Sequence, residues 1–190
     1  HLARRLASAL GAPLVSATTT RLLVDLNRSP HNPRVFSEVT RGLPRAERVR
    51  LLERFHQPHW SAVRDRLASA LRGGGRVLHL GVHSFTPVLH GVTRKQDVAL
   101  LYDPARKEER ALAARWGAAL ASALPSRAVR RNDPYRGASD GLPTAMRREL
   151  APSVYLGIEI EINQRHVGAG GRFPAWVHDT LIGSLSEVLA

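Results

Sequence analysis

Between Val154 and Asn163 the chain reads VYLGIEIEIN, its most strand-like segment. At the two-residue period of a strand, Ile158, Ile160 and Ile162 fill one face, while Glu159 and Glu161 project together from the other. Such a strand has to lie in a sheet with one apolar side, which limits what the remaining segments can be. RVLHLGVHSF and DVALLYDP read as two further strands, apolar and bounded by Gly or Pro, and RAVRRNDPYRG as a short strand running into a loop.

Helical patterns separate these strands. Leu2, Leu6 and Leu10 repeat at helical spacing until Gly11 and Pro13. Pro44 opens a long stretch in which Val49, Leu52, Phe55, Val63, Leu67 and Leu71 keep a 3.6-residue period, with Pro58 expected to kink or divide it. Further helices are expected over Lys107–Leu124, over Pro143–Leu150 and from Pro174 to the end. PLVSA and RLLVDL read as extended pieces leading to the polar turn NRSPHNP. Strands alternating with helices predict an α/β fold, a mixed sheet with helices on both faces, within one domain spanning residues 1–190.

Composition narrows the chemistry. Without cysteine there are no disulfides and no thiolate metal sites, so any metal must be held by His, Asp or Glu. The formal net charge is +12, but Lys95 and Lys107 are the only lysines and the arginines are scattered through the expected helices. With 5% aromatic residues and no nucleic-acid-binding motif, a nucleic acid is not the expected partner. No apolar run approaches the roughly 20 residues that span a bilayer, and no signal peptide is visible, so a cytoplasmic protein with no membrane partner is expected.

Four places carry candidate chemistry. His83 closes an apolar strand, where α/β sheets place ligands and catalytic groups; it can bind a metal, or cap the strand by hydrogen bonding. His79, on the same face but deeper in the strand, reads as structural. Glu159 and Glu161 repel one another, and a cation, a metal or arginines would relieve that cost; a solvated face paired with surface arginine is the other reading. Arg21, Asp25 and Asn27 alternate with Leu and Val, and Arg28 begins the turn. A guanidinium fork beside an amide suits a carboxylate, although an Asp25–Arg pair closing the turn fits as well. Tyr135, on a loop of turn-forming residues, can donate a hydrogen bond over a site or serve as packing.

Taken together, SATTTRLLVDLNRSP, LHLGVHSFTPV, RNDPYRG and GIEIEINQ resemble the N-formylglutamate amidohydrolase family. The resemblance implies a zinc carboxypeptidase-like (phosphorylase/hydrolase-like) fold and hydrolysis of an N-acyl amino acid, a small anionic amide. It implies Zn2+ as cofactor with His83 as a ligand, Glu161 as general base, and Arg21 polarising the scissile carbonyl. Asn27 and Arg28 would hold the substrate carboxylate, with Glu159 and Tyr135 also on the substrate side and Tyr135 on a mobile loop. The family's other metal ligands, a His and an acidic residue, belong to a segment expected before His1, together with an N-terminal strand. A non-catalytic anion-binding member of the same fold is the alternative.

Overall fold

The computed structural model describes residues 1–190, which fold as two compact units interleaved along the chain. The first comprises His1–Leu14, Leu78–Ser139 and Leu156–Ala190; the second comprises Val15–Val77 and Asp140–Tyr155.

A four-stranded mixed sheet organises the first unit, in the order β1 (Val77–Phe85), β6 (Tyr155–Asn163), β4 (Val98–Leu101), β5 (Val129–Arg131). Strand β4 runs antiparallel to β6 and parallel to β5. The register sets Val98 opposite Ile162 and Leu100 opposite Ile160, so these side chains share one face. Against that face pack α1 (Leu2–Ala9), α4 (Lys107–Ala123) and α6 (Ala175–Leu189), through Leu2 and Leu6, Leu112, Trp116 and Leu120, and Val177, Leu181 and Leu185. Each large apolar side chain buried there contributes about 1.5–3 kcal/mol. Trp116 is fully buried, and its indole N–H donates to Ser184 Oγ at 2.9 Å, which joins α4 to α6 without leaving a buried donor unpaired.

Where β4 ends, Glu109 of α4 takes over its role. Opposite Glu159 the ladder stops at Leu101. Beyond it, Oε1 of the fully buried Glu109 accepts from Gly157 N and Oε2 from Asp103 N, both at 2.9 Å, so one carboxylate bridges the two diverging backbones. The unit also carries a short hairpin, β2 (Val88–Leu89) with β3 (Val92–Thr93), which the sequence patterning does not announce.

The second unit is helical: α2 (Arg45–Leu51), a π turn over Leu52–His56, α3 (Gln57–Leu71) and α5 (Leu142–Glu149). The expected break at Pro58 takes the form of this π turn, in which Gln57 N reaches back to Leu52 O just before the proline, which has no N–H to give. Trp60, Val63 and Leu67 of α3 meet Leu142 and Met146 of α5 in a separate apolar cluster with Tyr155.

Residues 13–43 contain neither helix nor strand, and here the extended reading of RLLVDL is corrected. The Thr20 hydroxyl accepts from Leu22 N and its carbonyl from Leu23 N and Val24 N, forming a turn. Side-chain bonding of this kind competes with a strand ladder. Arg21 therefore meets Asp25 across the turn, at 3.3 Å, rather than alternating along a strand face with Asn27. No helix of the structure is long and apolar enough to cross a membrane.

Candidate active site

The sheet face opposite the helical core is polar. By the strand period β6 presents Glu159, Glu161 and Asn163 on it, and β1 presents His79, Gly81, His83 and Phe85. Glu159 and Glu161 lie opposite Leu101 and Ala99 of β4, and both carboxylates are buried. Burial of the three isoleucines on the far side of β6 fixes this orientation, because a one-residue slip would exchange them with the glutamates.

His83 and Glu159 meet on this face, Nε2 lying 3.5 Å from Oε1. Gly81 makes room for them: a Cβ there would stand 3.0 Å from Glu159 Cγ and 3.2 Å from His83 Nε2. The imidazole is thus turned toward a carboxylate expected on the substrate side. Two cross-connections fix the ends of the strands. Gln164 Nε2 donates to Ser84 Oγ at 3.0 Å, and Asn163 Nδ2 donates to the carbonyls of Arg94 and Gln96 at 3.1 and 2.8 Å.

Tyr135, expected on a mobile loop, is held in place by several contacts. Its hydroxyl accepts from Arg94 Nη1 at 2.7 Å and its ring stands edge-on to Phe85. Asn132 Oδ1 accepts from Tyr102 N and Gly137 N, and Gln96 Nε2 donates to Asp133 Oδ2. Gly137 is pressed so close to the backbone of Tyr102 that a Cβ would fall 2.1 Å from its nitrogen.

Arg21, Asn27 and Arg28 belong to the second unit. There Asp25 Oδ1 accepts from Asn27 N, and Oδ2 lies 3.9 Å from Arg28 Nε. Asn27 Oδ1 accepts from Leu142 N, and Arg28 Nη1 donates to the Asp140 carbonyl. The loop is held from beneath by His56, whose Nε2–H donates to Arg28 O at 2.7 Å, and by Trp60, whose indole donates to Leu26 O at 2.8 Å. Burial pushes the His56 pKa below the usual histidine range, against the opposing effect of the Arg28 carbonyl. Asp140 Oδ2 closes the loop by accepting from Ser29 N and Asn32 Nδ2. None of His56, Trp60 and Asp140 stood out in the sequence, since each acts through backbone or neighbouring side chains distant along the chain.

The resemblance calls for zinc. A spacing of 3.5 Å suits two corners of a zinc tetrahedron, roughly 3.3 Å apart for bonds near 2.0 Å. A zinc site needs at least three protein donors, however, and no three His, Asp or Glu side chains here are grouped to hold a metal ion. His83 and Glu159 alone do not make the site.

The N-formylglutamate amidohydrolase family profile matches residues 1–167, nearly the whole chain. The chain belongs to this family. Among solved structures, a gene product of Agrobacterium tumefaciens is 27% identical and superposes with a TM-score of 0.75, covering 100% of this chain and 77% of that one. The N-formylglutamate amidohydrolase of Ralstonia eutropha is 22% identical, with a TM-score of 0.72 and coverage of 98% and 77%, a likeness of fold. No curated protein matches the sequence.

A cleft of about 400 Å³ lined by Tyr102, Gly117, Val129, Arg130 and Arg131 lies at the β5 edge, with β4 and β6 between it and β1.

Proposed function

We propose that this family member is an amidohydrolase that cleaves the amide bond of an N-acyl amino acid carrying a free carboxylate. The observation behind this reading is the polar sheet face, where two buried carboxylates lie side by side and one of them contacts an imidazole. Burying like charges together is costly, and a sequence keeps such an arrangement where the charges perform chemistry. Membership of the family supports the same reading.

In this mechanism Glu161 takes a proton from the attacking water as its oxygen bonds to the acyl carbon. The same proton passes to the amine as the C–N bond breaks, leaving a carboxylic acid and a free amine. Glu159 orients the His83 ring beside the reacting group. Zn2+ bound through His83 is part of the proposal and requires donors additional to this pair. Within the second unit, Asn27 and Arg28 are assigned to binding a carboxylate and Arg21 to polarising a carbonyl; within the first, Tyr135 is assigned as a hydrogen-bonding partner.

Steady-state hydrolysis of N-formyl-L-glutamate tests the reading. Glu161→Ala should lower kcat by roughly 10²–10⁴ while leaving the fold intact. Hydrolysis by that variant at the wild-type rate would show that the role assigned to Glu161 is wrong.

The second reading is a non-catalytic binder of acyl amino acids with the same fold. Metal analysis with calorimetry separates the two. About one equivalent of zinc with turnover supports the hydrolase, whereas ligand binding with neither zinc nor turnover supports the binder.

A further inference from the structure

We propose that Arg94 forms an anion subsite on the first unit, receiving a second carboxylate, the acidic side chain of the substrate amino acid. This deepens the amidohydrolase reading and rests on it.

Arg94 leaves the β2–β3 hairpin with its backbone N–H bonded to Pro87 O, and its carbonyl is held by Asn163 Nδ2. Asn163 is the next residue after Glu159 and Glu161 on the polar face of β6. The guanidinium lies over the Phe85 ring, 5.6 Å from its centroid, and over the Tyr135 ring at 5.0 Å. Phe85 follows His83 on the same face of β1, one two-residue step of roughly 6.5–7 Å along the strand. Arg94 therefore sits just beyond His83, on the side of the sheet that carries the glutamates.

Its environment leaves the charge undercompensated. Arg94 is only 9% exposed, so its guanidinium is largely withdrawn from water. The partners of its guanidinium are one neutral hydroxyl, that of Tyr135, and two aromatic faces. Two other buried charges in this unit are treated differently: Asp97 is matched by Arg165 and His166, and Glu109 accepts two backbone N–H groups. A guanidinium has five N–H donors in a rigid fork, and a single hydroxyl uses one of them. A buried cation short of an anion, flanked by rings that hold its plane, is a preformed receptor for a carboxylate.

The test compares kcat/KM for N-formyl-L-glutamate with that for N-formyl-L-norleucine, whose side chain is of similar length and uncharged. Wild type should prefer the acidic substrate, and Arg94→Gln should reduce that preference by roughly 10- to 150-fold. Arg94→Lys, which keeps the charge but not the fork, should fall between them. Equal losses on both substrates, leaving the ratio intact, would mean that Arg94 only holds Tyr135 in place and would overturn the subsite. If Arg94→Gln does not fold by circular dichroism, the Arg94→Lys ratio decides on the same terms. If wild type hydrolyses neither substrate, the amidohydrolase reading fails by itself. The subsite is then judged by calorimetric binding of L-glutamate against L-norleucine to wild type and Arg94→Lys, where equal affinities for the two ligands overturn it.

Discussion

Gly81 and Glu159 are packed so closely that a single added methyl group at Gly81 would stand 3.0 Å from Glu159 Cγ. The same methyl would lie 3.2 Å from His83 Nε2, so it would enter the contact between imidazole and carboxylate. Gly81→Ala should therefore displace Glu159 or His83 by a few tenths of an ångström, at a stability cost of about 1–3 kcal/mol. Misplacement at a reaction centre costs far more in rate than in folding, and kcat should fall on the order of 10²-fold. Kinetics and thermal unfolding of the same preparation check this, and full activity with an unchanged melting curve would remove His83 and Glu159 from the reaction centre.

A second prediction concerns how β6 is held. Glu109 accepts from Gly157 N and Asp103 N with separate oxygens. Glu109→Gln preserves shape but turns an amide NH2 toward one of those N–H groups. It should cost about 1–3 kcal/mol, and Glu109→Ala, which also opens a cavity, about 3–5 kcal/mol. Urea denaturation measures both; equal stability of wild type and Glu109→Ala would show that the carboxylate bridge contributes nothing.

These two positions also show what the sequence conveys and what it withholds. The two-residue period of Ile158, Ile160 and Ile162 against Glu159 and Glu161 is local, and it correctly set a polar face against an apolar one. The same holds for the helical spacing of Leu112, Trp116 and Leu120. RLLVDL misleads because alternation alone does not supply a ladder partner, and the hydrogen bonds of Thr20 turn the chain first. Two of the four places where the chain passes between the units, Val77/Leu78 and Tyr155/Leu156, fall inside the opening residues of β1 and β6, where no linker composition marks the crossing. Gly81 and Arg94 escaped notice because their importance lies in what packs against them from other parts of the chain.

Acid should weaken the fold through Asp97. Burial alone would raise its pKa, but hydrogen bonds from Arg165, Ala128 N and His166, with the Arg165 charge, outweigh this and hold it below the usual 3.8. A carboxyl whose folded pKa is depressed contributes its full stabilisation above the unfolded value, and loses it as pH falls through the folded one. Wild type should therefore exceed Asp97→Asn in stability at pH 7, and the gap should narrow progressively below about pH 4. Denaturant titrations of both proteins between pH 7 and pH 3 follow the gap; a constant difference would contradict the assignment.

The loop bearing Asn27 and Arg28 offers the last test. Three groups hold it in the second unit: His56 through Arg28 O, Trp60 through Leu26 O, and Asp140 through Ser29 N and Asn32 Nδ2. If Asn27 and Arg28 bind the substrate carboxylate, loosening the loop should raise KM more than it lowers kcat. His56→Phe keeps a ring to stack on Trp60, now at 4.9 Å, but removes the donor to Arg28 O. One lost hydrogen bond of about 1 kcal/mol corresponds to a rise in KM of roughly fivefold. The substitution should also flatten the pH dependence of stability. His56 has a folded pKa below its unfolded 6.5, so wild type loses stability as pH drops from 6.5 toward that lower value; the phenylalanine variant, left with His59 and His178, whose pKa values burial also lowers, loses less. An unchanged KM alongside the flattened stability profile would confirm the buried histidine while denying the loop any part in holding substrate.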